Sequence, residues 1–200
     1  MPLSLPGFSF GAYCTRSARK LRPALWLACS MTAALSLSAC TPSFDWRTVV
    51  NQDGGYSVSF PAKPGVDQRP VKIAGQALPM LMQSARVGEV SFAVGVLTLP
   101  SDDPALRATV LDALEQGLAR NIGAPLQTHP VSIAVGNPGE QVIGAEFVAS
   151  GVVADAHHTH RMMHARFAAR GTKIYEAVVV APQAPATEQL DQFFDSWRLF

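Results

Sequence analysis

Residues 23–39, Pro-Ala-Leu-Trp-Leu-Ala-Cys-Ser-Met-Thr-Ala-Ala-Leu-Ser-Leu-Ser-Ala, contain no charged side chain. This run divides the chain. Before it stands a basic stretch, Thr15 to Arg22, carrying Arg16, Arg19, Lys20 and Arg22. At its end the small residues Ser38 and Ala39 lead directly into Cys40. Basic, apolar and then small is the order of a secretory signal, removed from the mature protein. A membrane-spanning helix is the weaker alternative, because 17 residues interspersed with Ser and Thr are barely enough to cross a bilayer. The expected organisation is a signal over residues 1–39, a lipidated N-terminus and short tether over 40–44, and one domain over 45–200.

The remaining 161 residues, Cys40 to Phe200, fit a single domain. A chain of this length buries ~70% of its unfolded surface and folds without staples. All fifteen acidic residues but only twelve of the sixteen basic ones follow Cys40, so the mature net charge is −3. A mildly acidic chain without Lys/Arg runs argues against nucleic-acid binding. Cys14 and Cys29 fall in the signal, which leaves Cys40 as the sole mature cysteine and excludes an internal disulfide.

Leu37-Ser38-Ala39-Cys40 resembles a bacterial lipobox. The resemblance implies cleavage before Cys40, a diacylglycerol thioether on its sulfur and acylation of the new amine. Several acyl chains anchor stably where one binds only marginally. In the lipoproteins it resembles, Asp after the cysteine favours the inner membrane. Thr41 therefore implies the periplasmic face of the outer membrane. The tether Thr41-Pro42-Ser43-Phe44 reaches only ~15 Å at ~3.5 Å per residue.

The mature part is dominated by strand signals. Trp46–Val50 alternates up to an Asp53-Gly54-Gly55 turn, and Tyr56-Ser57-Val58-Ser59-Phe60 alternates strictly up to Pro61. Val71–Ala74, Pro79–Ala85 and Val90–Leu99 continue an antiparallel meander. A helix follows, with Asp103 as N-cap and Pro104 at the first position. Leu106, Val110, Leu111, Leu114 and Leu118 form its apolar stripe, and Gly123 its C-cap. Strands at about 128–134, 140–153, 159–170 and 173–181 come next, then a short helix at about 185–195.

This order is similar to the Mog1/PsbP-like family, which includes small bacterial lipoproteins of the DcrB type. The carrying residues are Gly55-Tyr56-Ser57-Val58-Ser59-Phe60-Pro61, Tyr175 and Phe193-Phe194-Asp195-Ser196-Trp197-Arg198-Leu199. The resemblance implies an α+β fold, an antiparallel sheet flanked by helices in an α/β/α sandwich. It also implies an accessory or binding role for other envelope components rather than chemistry.

Four of the five histidines lie in Asp155-Ala-His-His-Thr-His-Arg-Met-Met-His164. On a strand, His158, His160 and His164 share one face. Taking His157-His158 as the hairpin loop puts Asp155 opposite His160 and Gly151 opposite His164. Through the next turn, His164 falls opposite Val179 and Arg166 opposite Ala177. Asp155, His158, His160 and His164 are thus a candidate Zn²⁺ or Cu²⁺ site, and the alternative function is a periplasmic metal-binding lipoprotein. The competing interpretation is a polar hairpin tip, since an open strand rarely fixes a metal without a rigid third ligand. Met80, Met82, Met162 and Met163 suggest copper(I) less strongly than packing. Ser59 and Ser150 stand in no nucleophile motif, so no enzyme is expected.

Overall fold

The computed structural model describes residues 44–136, 138–153 and 159–200. Ten strands carry most of it: β1 (Arg47–Asn51), β2 (Tyr56–Phe60), β3 (Gly65–Ile73), β4 (Gln76–Val87), β5 (Val90–Thr98), β6 (Thr128–Val135), β7 (Gln141–Val152), β8 (His160–Arg170), β9 (Lys173–Ala181) and β10 (Arg198–Leu199). Helix α1 (Pro104–Ile122) separates β5 from β6, and α2 (Thr187–Phe194) separates β9 from β10. The helix and its caps fall where the side-chain periodicity places them, whereas β3 begins six residues before the expected Val71 and β4 extends beyond Pro79–Ala85 at both ends.

The strands form one sheet in the order β1-β2-β10-β6-β7-β8-β9-β5-β4-β3. Two meanders, β3-β4-β5 and β6-β7-β8-β9, join through the antiparallel β5–β9 pair. The sheet is mixed, because β10 runs parallel to β6 while antiparallel to β2.

The expected α/β/α sandwich is not what forms. Strand makes up 54% of the described residues and helix 18%, in a curled half-barrel. The reason is width. Ten strands at ~4.8 Å span about 48 Å, whereas one helix covers only about 10 Å. Two helices cannot layer such a sheet, so it buries its remaining apolar surface by curling.

The curl is visible in contacts between strands far apart in the sheet. Trp46, just before β1, meets Phe92 of β5 edge-on with ring centroids 5.9 Å apart. Tyr56 Oη of β2 donates to Gln83 Oε1 of β4 at 2.5 Å, and Asn51 Nδ2 donates to the same oxygen at 3.2 Å. The concave core holds Tyr56, Phe60, Phe92, Tyr175, Phe193 and Trp197, with α2 laid into it. Ser196 closes the seam: its hydroxyl accepts from Ser59 N at 2.9 Å and donates to Phe193 O at 2.8 Å.

The convex core lies under α1 and holds Leu97, Val110, Leu114, Ile122, Phe147, Phe167 and Ile174. Asp103 caps α1 through Oδ1, which accepts from Ala105 N at 2.9 Å. Gly123 ends it at φ 67°. There the helix meets β7 so closely that a Cβ on Gly151 would lie 1.9 Å from Ile122 O.

Candidate functional site

The β7–β8 register differs from the expected one. Val152 pairs with His160, Gly151 with Arg161 and Val148 with His164. The shift is three residues, because the connection runs from Val153 to Thr159 rather than through a two-residue loop. An odd shift exchanges faces. Glu146, Val148, Ser150 and Val152, and not Gly151, therefore share the face of the even-numbered β8 residues. The β8–β9 register agrees with the expectation, His164 opposite Val179 and Arg166 opposite Ala177. The histidine face is not simply the polar one. It is the concave side and carries a core of its own.

This register places a carboxylate beside an arginine and a histidine. Glu146 on β7 is the direct partner of Arg166 on β8. One oxygen, Glu146 Oε1, accepts from Arg166 Nε at 2.8 Å and lies 2.8 Å from His164 Nε2. An ionised carboxylate only accepts, so Nε2 carries the proton. Both side chains, His164 and Arg166, lie against Phe194 of α2. The His164 ring centroid is 4.5 Å from that of Phe194, and Arg166 Cζ stands 4.8 Å from the ring centroid. A guanidinium over an aromatic face is attracted by the ring quadrupole. Desolvation works against the Glu146 charge, but hydrogen bonds from His164 and Arg166 and the Arg166 charge outweigh it and hold the pKa below the usual carboxylate value.

Beside the cluster is a half-open recess of about 230 Å³. Ser132, Gln141, Arg166, Phe194, Asp195 and Trp197 line it. Arg166 Nη1 stands 3.8 Å from Asp195 Oδ1, the residue that ends α2. The recess thus offers a guanidinium edge, a carboxylate, an amide and a hydroxyl next to an aromatic wall. That set can hydrogen-bond and stack.

The sequence-derived metal set does not assemble among the described residues. His164 is committed to Glu146 and Phe194. His160 Nε2 lies 2.9 Å from Ser150 Oγ in a solvent-exposed contact. The two histidines are four residues apart on one strand, about 13 Å. Asp155 and His158 lie outside the described residues. Among the described residues no three His, Cys, Asp or Glu side chains are grouped to hold a metal ion. Met80 and Met163 pack into the convex core, with Met82 against it.

Glu176 is a second site that periodicity does not reveal. It is 5% exposed on β9, and its Oε2 has no hydrogen-bond partner among the described residues. It pairs with Gly95 of β5, and a Cβ there would lie 2.7 Å from Glu176 Oε1 and 2.8 Å from Met80 Cε. The bare glycine makes room for the carboxyl. Burial pushes its pKa up to about 7.

No family model matches the chain, and no curated protein matches it. A crystal structure of a protein from Bacteroides thetaiotaomicron is similar at a TM-score of 0.44 and 10% identity. The match covers 77% of this chain and 48% of that one, so this chain spans about half the length of that protein.

Proposed function

We propose that this protein is a lipid-anchored envelope lipoprotein and a non-enzymatic binding or accessory module for another envelope component. The observation that carries the reading is the order of residues 15–40: a basic stretch, an uncharged apolar run and Leu37-Ser38-Ala39-Cys40. A lipid on Cys40 fixes the module to a membrane, and Thr41 favours the periplasmic face of the outer membrane. Within the domain, the recess beside Arg166 is the binding surface that this role requires. Its donors and acceptors are held by Glu146, Phe194 and α2, so they are set before a partner arrives.

Photo-crosslinking tests it. A benzoylphenylalanine at Ser132 or Gln141, both lining the recess, is expected to trap a discrete envelope species in intact cells. The same group at the exposed Gln76, on β4 and four strands away from β7, is expected to trap none. Background labelling alone from both recess positions contradicts the binding role.

A further inference from the structure

We infer that one rim of the half-barrel faces the bilayer: the rim carrying the β2–β3 connection, the β4–β5 turn and the β9–α2 connection. The inference rests on the lipoprotein reading and deepens it by naming the surface that meets lipid headgroups.

The chain is fixed to the domain at residue 44. Phe44 stacks on Trp46 at 5.8 Å and 12°, Trp46 abuts Phe92, and Asp45 N donates to Pro61 O at 2.8 Å. Four peptide steps from Cys40 to Phe44 reach about 15 Å at most. A bilayer holding Cys40 therefore lies within that distance of Phe44.

Strand register identifies what else lies at that end. Arg47 pairs with Phe60, so β2 ends where β1 begins. From β2 the direction passes through β10, β6, β7 and β8 to β9. It puts Ala181 at the same end, level with Met162. Ser91 pairs with Val180, which adds the β4–β5 turn at Gly88 and Glu89. Gly65 pairs with Ser84, which brings the exposed Lys63 and Arg86 to this end, where Glu89 is the exposed carboxylate of the β4–β5 turn. Two exposed cations suit headgroup phosphates, which attract basic side chains near the surface. The opposite rim, with Gly171 and Thr172, lies one nine-residue strand away, about 30 Å.

The test uses the full chain, processed in cells, purified with its lipid and returned to vesicles of phosphatidylethanolamine and phosphatidylglycerol. Lipidation consumes the Cys40 thiol, so a thiol-reactive fluorophore marks only an introduced cysteine. Lys63→Cys, Glu89→Cys and Thr172→Cys are compared with a headgroup nitroxide as quencher. The expected result is at least threefold stronger quenching at positions 63 and 89 than at 172. Equal quenching at all three, or stronger quenching at 172, overturns the orientation. The intact mass separates the two failures: a protein with a bare Cys40 thiol takes label without any introduced cysteine, which overturns the anchor and the orientation together.

Discussion

Glu176 is a residue whose ionisation and whose burial oppose each other. Its carboxyl is buried beside Gly95 and Met80, with Oε2 unpartnered among the described residues, and burial pushes its pKa up to about 7 from an ordinary 4.5. A raised carboxyl pKa means the folded state holds the proton more tightly than the unfolded state. Stability is then highest at low pH and is lost as pH rises from about 4.5 through about 7. Glu176→Gln removes the charge while keeping the shape. It is expected to stabilise the protein by roughly 3 kcal/mol at pH 8 relative to its effect at pH 4.5. Urea unfolding at the two pH values reads this directly, and parallel losses in wild type and variant contradict it. Glu146 has the opposite sign: its lowered pKa contributes stability above the ordinary carboxylate range that fades as pH falls. Because the cluster is partly exposed, Glu146→Gln is expected to cost only about 1 kcal/mol at pH 7. Neither carboxylate was conspicuous beforehand. Glu176 interrupts an apolar run in β9, and Glu146 lies in a plain strand. The meaning of each comes from a cross-strand partner, Gly95 or Arg166, that one-dimensional spacing does not supply.

The elements themselves were largely legible. Asp103-Pro104 and Gly123 bracket α1, Tyr56–Phe60 is β2 residue for residue, and Arg170 pairs with Lys173 across a two-residue turn. These signals are local, since caps, turns and alternation act within a few residues. The β7–β8 register was not legible, because it depends on the length of a connection whose residues, including His157 and His158, carry no sharp turn signal. That one shift takes Gly151 away from His164 and brings Glu146 to Arg166. The approach of α1 to β7 was equally hidden, although Gly151 marks it. Gly151→Ala is expected to cost about 2 kcal/mol or more, by forcing the Ile122 carbonyl away from the strand. Asp103→Ala, which loses only a cap, is expected to cost about 1 kcal/mol. Thermal melts that rank the two in the reverse order contradict the packing described for that end of α1.

At the scale of the whole molecule, one sheet supplies both cores and curls to close one of them. The sandwich expectation failed on a global quantity, the area of sheet against the area of helix, which no local motif reports. Closure hangs on Gln83, whose single oxygen accepts from Tyr56 and Asn51. Gln83→Ala leaves the buried Tyr56 hydroxyl without that acceptor, at an expected cost of 1–3 kcal/mol. Hydrogen exchange is expected to quicken first in β1 and β2, while β7–β9 stay protected. Uniform acceleration contradicts the curl as the site of the loss. The central claim is that this half-barrel is held at a membrane by Cys40. The intact mass of the protein extracted from membranes tests it most directly. The account predicts a chain beginning at Cys40, heavier than the bare polypeptide by a diacylglyceryl group and an N-linked acyl chain. A chain that retains residues 1–39, or one that begins at Cys40 without added lipid, contradicts it.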